Sequence, residues 1–181
     1  MTASASSVKM RIEYAFADAK YPGDQRLVDS DEGSEPELVA RDFKGKSDWH
    51  ALKADFIDRS PDELATALAF FSDEAFRFYL PAYLIADLDG LLKLADPAYH
   101  LTHGFDDGSR VGRVNSLRFG EMTWSDYAVR RCSGLSAEQV DAVAAYLELK
   151  AEKASAHDKN IINQALANYW RKRDNTGMPS L

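Results

Sequence analysis

From Ala75 to Leu88 the chain is apolar at almost every position, broken only by Arg77, Pro81 and Asp87. A helix that is apolar around its whole circumference is stable only when protein surrounds it. The run is also shorter than the roughly 20 apolar residues that span a bilayer. It therefore predicts an all-α fold, a compact helical bundle packed about this one segment. Ser72 stands where an N-cap belongs, with Asp73 and Glu74 favourably placed at the positive end of the helix dipole. Pro81 offers no N–H to the Arg77 carbonyl and its ring crowds that carbonyl, so a kink is expected between the two. Tyr79 and Tyr83 share a face at four-residue spacing. They are candidates to line a pocket beside the kink, the competing reading being core packing with both hydroxyls tied down.

The rest of the chain fits around such a helix. Among 181 residues there are only 10 glycines and 6 prolines, which favours a few long helices over many short strands. The length suits one domain over 1–181, with residues 1–6 and 174–181 as tails. Apolar spacing predicts a helix from Ser7 to about Tyr21 through Val8, Ile12 and Phe16. Residues 22–36 read as a solvated loop, and Pro36 opens a short helix to Phe43. Ser60-Pro61-Asp62-Glu63 matches a capping box for a helix running to about Phe71, with Leu64, Leu68 and Phe71 inward. A short helical piece is expected at Leu91–Ala95. Residues 96–118 are the least regular stretch, with a small hairpin over 110–119 as one reading. Trp124–Cys132 reads as a helix. Ser136-Ala137-Glu138-Gln139 is a second capping box, opening a long helix to Ala154. A last helix through Ile161, Leu166 and Trp170 forms an antiparallel pair with it.

Net charge is −7 and uneven: residues 1–90 hold 18 acidic and 10 basic side chains, residues 91–181 hold 11 and 12. A surplus of acid repels phosphate backbones at long range, which disfavours generic nucleic-acid binding. Cys132 is the single cysteine, so neither an intrachain disulfide nor a cysteine metal knuckle can form, and a buried inert thiol is expected. The opening MTASASSVKMRIEYAF lacks the apolar stretch of a secretory signal, so the expectation is a cytoplasmic protein with no membrane association.

Chemistry-bearing patterns are few. His100-x-x-His103 with Asp106 and Asp107 is the one metal-like constellation, but Gly104 and Gly108 break any helix that would align it, and no metal or cofactor is expected. Arg110, Arg113 and Arg118, with Arg130 and Arg131 on the next helix, are candidates for contact with a ligand or partner, since guanidinium forks suit carboxylates and phosphates. The bland reading is charge balance with the acidic first half. The sequence contains no GxSxG, P-loop, GxGxxG or HExxH pattern, so no catalytic residue is assigned and an enzyme is not the favoured reading.

The run Leu68-Ala69-Phe70-Phe71-Ser72-Asp73-Glu74-Ala75-Phe76-Arg77-Phe78-Tyr79-Leu80-Pro81-Ala82-Tyr83-Leu84, preceded by Trp49, resembles a family of small bacterial proteins of unknown function. Ile12, Ala15 and Phe16, the Leu135–Leu147 stretch and Tyr169-Trp170 are similar to it as well. The resemblance implies a bacterial, intracellular setting and brings no activity, cofactor or catalytic residue.

Three readings follow. The first is a non-enzymatic protein that binds or masks a basic protein partner. The second is an enzyme or small-ligand binder with a site near Pro81 or in residues 96–118. The third is a structural homo-oligomer, a homodimer for instance, built on the apolar stripes of the last two helices.

Overall fold

The computed structural model describes residues 4–30, 33–114 and 120–172. Among these the regular structure is helical: α1 (Ala5–Phe16), α2 (Ser34–Phe43), α3 (Ala54–Arg59), α4 (Ala67–Phe70), α5 (Asp73–Leu88), α6 (Pro97–Thr102), α7 (Trp124–Cys132), α8 (Ala137–Lys153) and α9 (Ala156–Ala165). Strand-like pairing is confined, among the described residues, to two isolated antiparallel bridges, Val28 with Phe71 and Arg113 with Thr123. The all-α expectation holds. The helices gather into two compact units, one of Ile12–His100 and the other of Met1–Arg11 with Leu101–Leu181.

In Ile12–His100 the core helix is α5. Phe76, Tyr79, Leu80 and Leu84 have no exposure, and Tyr83 has almost none. The helix continues through Pro81. Ser72 caps it as expected, its Oγ accepting from the Ala75 N–H (3.0 Å). The same hydroxyl donates to the Arg26 carbonyl (2.6 Å), and the Ser72 N–H donates to Leu27 (2.9 Å). These bonds, with the Val28–Phe71 bridge, fasten part of the 22–36 stretch, and Leu27 is buried there rather than solvated. Phe43 stands at the middle of an aromatic cluster, with ring centroids 5.1 Å from Phe56, 4.7 Å from Phe71 and 4.8 Å from Tyr79.

Several local expectations are corrected. Helix α1 starts at Ala5, earlier than Ser7, because Ser4 caps it, and it stops at Phe16, short of Tyr21. The box at Ser60 does not form. Ser60 ends α3, and its N–H, which Glu63 would have to receive, already donates to the Phe56 carbonyl (3.0 Å). The Ser60-Pro61 bond is cis, and Asp62, Glu63 and Ala65 have φ of 43°, 64° and 55°, outside any right-handed helix. Glu63 pairs instead with Arg59 and Asp62 with Arg41, and Leu64 is exposed. Helix α4 is left with one turn. Leu91–Ala95 is not helical either, for a reason given below.

In the other unit, α8 and α9 form the expected helical pair. The Ser136 box is present, with Gln139 N–H on Ser136 Oγ (3.2 Å) and Ser136 N–H on Gln139 Oε1 (3.1 Å). Thr123 and Asp126 form a second box at the start of α7, and Ser155 caps α9. Helix α9 passes into a π turn over Leu166–Trp170. Within the stretch 96–118, the described residues 96–114 are more regular than expected, containing α6 and a 3-10 turn at Asp107–Arg110. The hairpin expected over 110–119 is not found among the described residues, since 115–119 lie outside them. Arg113 pairs with Thr123, and Val114 N–H donates to Met122 (3.0 Å). The tail at 174–181 also lies outside the described residues.

Candidate functional site

The most organised polar group in Ile12–His100 is Asp58, at the end of α3 and only 5% exposed. Its Oδ1 accepts three backbone N–H bonds, from Lys93 (2.8 Å), Leu94 (2.8 Å) and Ala95 (3.0 Å). Successive N–H groups that converge on one anion form a concave nest, and here they are taken from the carbonyls that a continuing helix would use. That is why Leu91–Ala95 is not helical. Burial alone would raise the Asp58 carboxyl, but the three N–H bonds, with Arg59 nearby, outweigh it and hold the group below the usual carboxylate range.

Around the same end of α3 the backbone departs from ordinary conformation. Three non-glycine residues with positive φ stand within four positions, Asp62 to Ala65. Such residues persist only where their surroundings fix them. Here Arg59 holds Glu63 (3.2 Å), Arg41 holds Asp62 (2.8 Å), the Leu64 N–H donates to Pro61 (2.8 Å) and the Ala65 N–H to Arg59 (3.4 Å).

The two candidate tyrosines of α5 are both buried, but in different states. Tyr79 donates its hydroxyl to the Lys46 carbonyl (2.9 Å), and burial, then the neighbouring Tyr21, raise its phenol. Tyr83 is wholly buried and its hydroxyl has no hydrogen-bond partner among the described residues. Burial, with Tyr79 and Asp58 near by, raises its phenol as well. Tyr21 donates to the Asp24 carboxylate and is pushed up to about 12, first by burial and then by that bond.

In the other unit the arginines are engaged by different groups. Arg110 donates to Asn168 Oδ1 (3.2 Å), Arg113 pairs with Glu121 (2.8 Å), and Arg131 is buried on α7 with its guanidinium at the Tyr127 hydroxyl (3.4 Å). Arg130 lies over the Tyr127 ring, 5.4 Å from its centroid. Arg118 lies outside the described residues. His103 packs edge-on against Trp124, with centroids 4.8 Å apart, and His100 against Tyr99, at 5.4 Å. Asp106 accepts from Gly108 and Ser109 and so caps the turn that follows it. No group of three or more His, Cys, Asp or Glu side chains placed to hold a metal occurs among the described residues. Cys132 is buried.

Sequence reasoning missed Asp58 and the Asn168 network. Asn168, in the π turn, donates to the Phe105 carbonyl (2.9 Å) and to Asp107 (2.9 Å), while Gln164 accepts from the Asp107 N–H (3.2 Å). Trp170 donates its indole N–H to Leu101 (2.8 Å). These bonds span roughly sixty residues of chain, and no local pattern announces them.

A family model described as a family of unknown function, DUF6714, matches residues 4–174. The chain belongs to this family. The match takes in every helix from α1 to α9. No curated protein and no solved structure matches the chain significantly. As a DUF6714 member it inherits no assigned chemistry. Among the described residues no helix is long and apolar enough to cross a membrane.

Proposed function

We propose that the protein acts by binding another protein whose surface is basic, in the cytoplasm of a bacterial cell, without carrying out a reaction of its own. The observation that carries this reading is the placement of charge. Ile12–His100 holds 19 acidic and 9 basic side chains, a net −10, while Met1–Arg11 with Leu101–Leu181 holds 10 and 13, a net +3. Three of the four arginines of the acidic unit are matched to acidic neighbours: Arg26 to Glu74 (3.0 Å), Arg41 to Asp62 and Arg59 to Glu63. These pairs are exposed and contribute little stability, but they engage three of the unit's nine positive groups, and the net charge of the unit stays at −10. A field of one sign steers an oppositely charged partner and raises its association rate.

The test is copurification from the native host across a salt series, beside a Glu35→Gln, Glu37→Gln variant. A basic partner should be retained at low salt, lost as salt rises, and held less well by the variant. A chain that elutes alone at every salt concentration rejects the reading.

A further inference from the structure

His50 lies in the short 3-10 turn Trp49–Ala51, exposed to solvent, and its imidazole is held from two directions. Asp48 Oδ1 accepts from the His50 backbone N–H (3.0 Å) and pairs with ring Nδ1 (3.1 Å). An ionised carboxylate only accepts, so this bond places a proton on Nδ1 and, in the neutral ring, leaves the lone pair on Nε2. One face of the ring lies on the Trp49 indole, with centroids 3.5 Å apart and planes 22° from parallel. Trp49 is itself buried, which fixes the platform under the ring. Nε2 has no partner among the described residues.

The other histidines are held differently. His100 and His103 meet Tyr99 and Trp124 edge-on. His157, exposed on α9, has no hydrogen-bond, ionic or ring partner among the described residues.

A carboxylate at Nδ1 and an indole face under the ring share one property: each is a better partner for a positive imidazole than for a neutral one. Attack by Nε2 on an electrophile makes the ring positive, so both favour the product. The local charge suits an anionic electrophile. Lys44–Lys53 carries three lysines against Asp48 alone, in a unit of 19 acidic and 9 basic side chains. A metal ion finds too few ligands, since His50 belongs to no group of three or more His, Cys, Asp or Glu among the described residues.

We propose that His50 accepts a phosphoryl group at Nε2, with Asp48 as the positioning residue. With phosphoramidate as donor, the Nε2 lone pair forms the new N–P bond as the donor's P–N bond breaks, and ammonia leaves with that electron pair. The donor nitrogen already carries three protons, so no proton moves. Nδ1 keeps its own proton on Asp48, and the ring takes up the positive charge. The site goes beyond the binding reading and does not rest on it.

The full chain is treated with potassium phosphoramidate at about pH 8, where an ordinary imidazole is neutral. Mass spectrometry places the product, and phosphorus nuclear magnetic resonance separates Nδ1 from Nε2 adducts. His50 should react about five-fold faster than His157, the upper end of what an exposed charge pair supplies, and at Nε2 from the start. Asp48→Asn keeps an acceptor for the Nδ1 proton but removes the charge, so the rate should fall towards that of His157 while Nε2 remains the site. Asp48→Ala frees Nδ1, and a mixture of the two adducts should appear. Circular dichroism checks the fold of both variants, and the comparison of His50 with His157 in the unaltered chain stands without them. His50 reacting no faster than His157, or reacting first at Nδ1, overturns the proposal.

Discussion

The helix starts of one unit and the Asp58 nest of the other satisfy loose backbone ends in opposite ways. In Met1–Arg11 with Leu101–Leu181, helix starts are closed by neighbours three residues on: Thr123 with Asp126, Ser136 with Gln139, Ser155 with Asp158. In Ile12–His100 the decisive acceptor is Asp58, which reaches N–H groups 35 to 37 positions away. A local cap fails alone, because each one serves a single turn. A long-range acceptor ties two distant stretches together, so its loss is felt by both. The difference separates parts of the fold that short motifs encode from parts that exist only once the chain has closed.

The largest expected effect tests that contrast directly. Asp58→Ala leaves three N–H groups without their acceptor and should cost about 3 kcal/mol in urea unfolding, against about 1 kcal/mol for Asp126→Ala at a local cap. Equal losses would break the comparison. The acid limb of the stability curve sharpens it. The Asp58 carboxyl is held below its unfolded value, so its contribution is present above about pH 4 and disappears as pH falls through the folded value. Asp58→Asn keeps an acceptor oxygen but removes the titration, and should flatten that limb.

Next in size is a pair of glycines, one from each unit. Gly104 has φ +91°, and a Cβ there would stand 2.7 Å from the Trp124 carbonyl oxygen and 2.5 Å from the Ala128 Cβ. Gly45 has φ +71° with nothing within 4 Å. Gly104→Ala should cost more than about 2 kcal/mol and Gly45→Ala about 1 kcal/mol, both read as shifts in thermal midpoint. Similar costs would mean that α7 moves aside.

Ser136→Ala should cost about 1 kcal/mol, and Ser60→Ala less, because Ser60 ends α3 through its backbone and its side chain caps no helix start. The smallest effect concerns the α5 tyrosines. Tyr79→Phe removes a bond to Lys46 and should cost about 1 kcal/mol, whereas Tyr83→Phe removes an unpartnered hydroxyl and should be neutral or stabilising by up to about 1 kcal/mol. A clear loss at Tyr83 would show that its hydroxyl has a partner in solution.

The same contrast explains what could be read in advance. The buried run through Pro81, the caps at Ser72 and Ser136 and the α8–α9 pair all follow from periodicity or from three-residue spacing. The box at Ser60 failed although its pattern was good, because α3 had already claimed the Ser60 N–H. The nest at Lys93–Ala95 was misread as helix because its stabilising group lies on another element. Of the residues singled out beforehand, Tyr79 and Arg131 turned out buried and Arg110 and Arg113 engaged by neighbours. Leu64, expected to face inward, is exposed, since its exposure is decided by loop conformation and not by residue type.

Trp170 is fully enclosed, with its indole N–H fixed to Leu101 and its ring against Phe105 and Tyr169. Trp49 is similarly enclosed in the other unit. Each half of the chain thus carries a built-in optical reporter, with emission blue-shifted while its surroundings remain intact. Replacing Trp49 by phenylalanine leaves the emission of Trp124 and Trp170, and replacing those two leaves that of Trp49, so ordinary fluorescence can follow either half without an added dye.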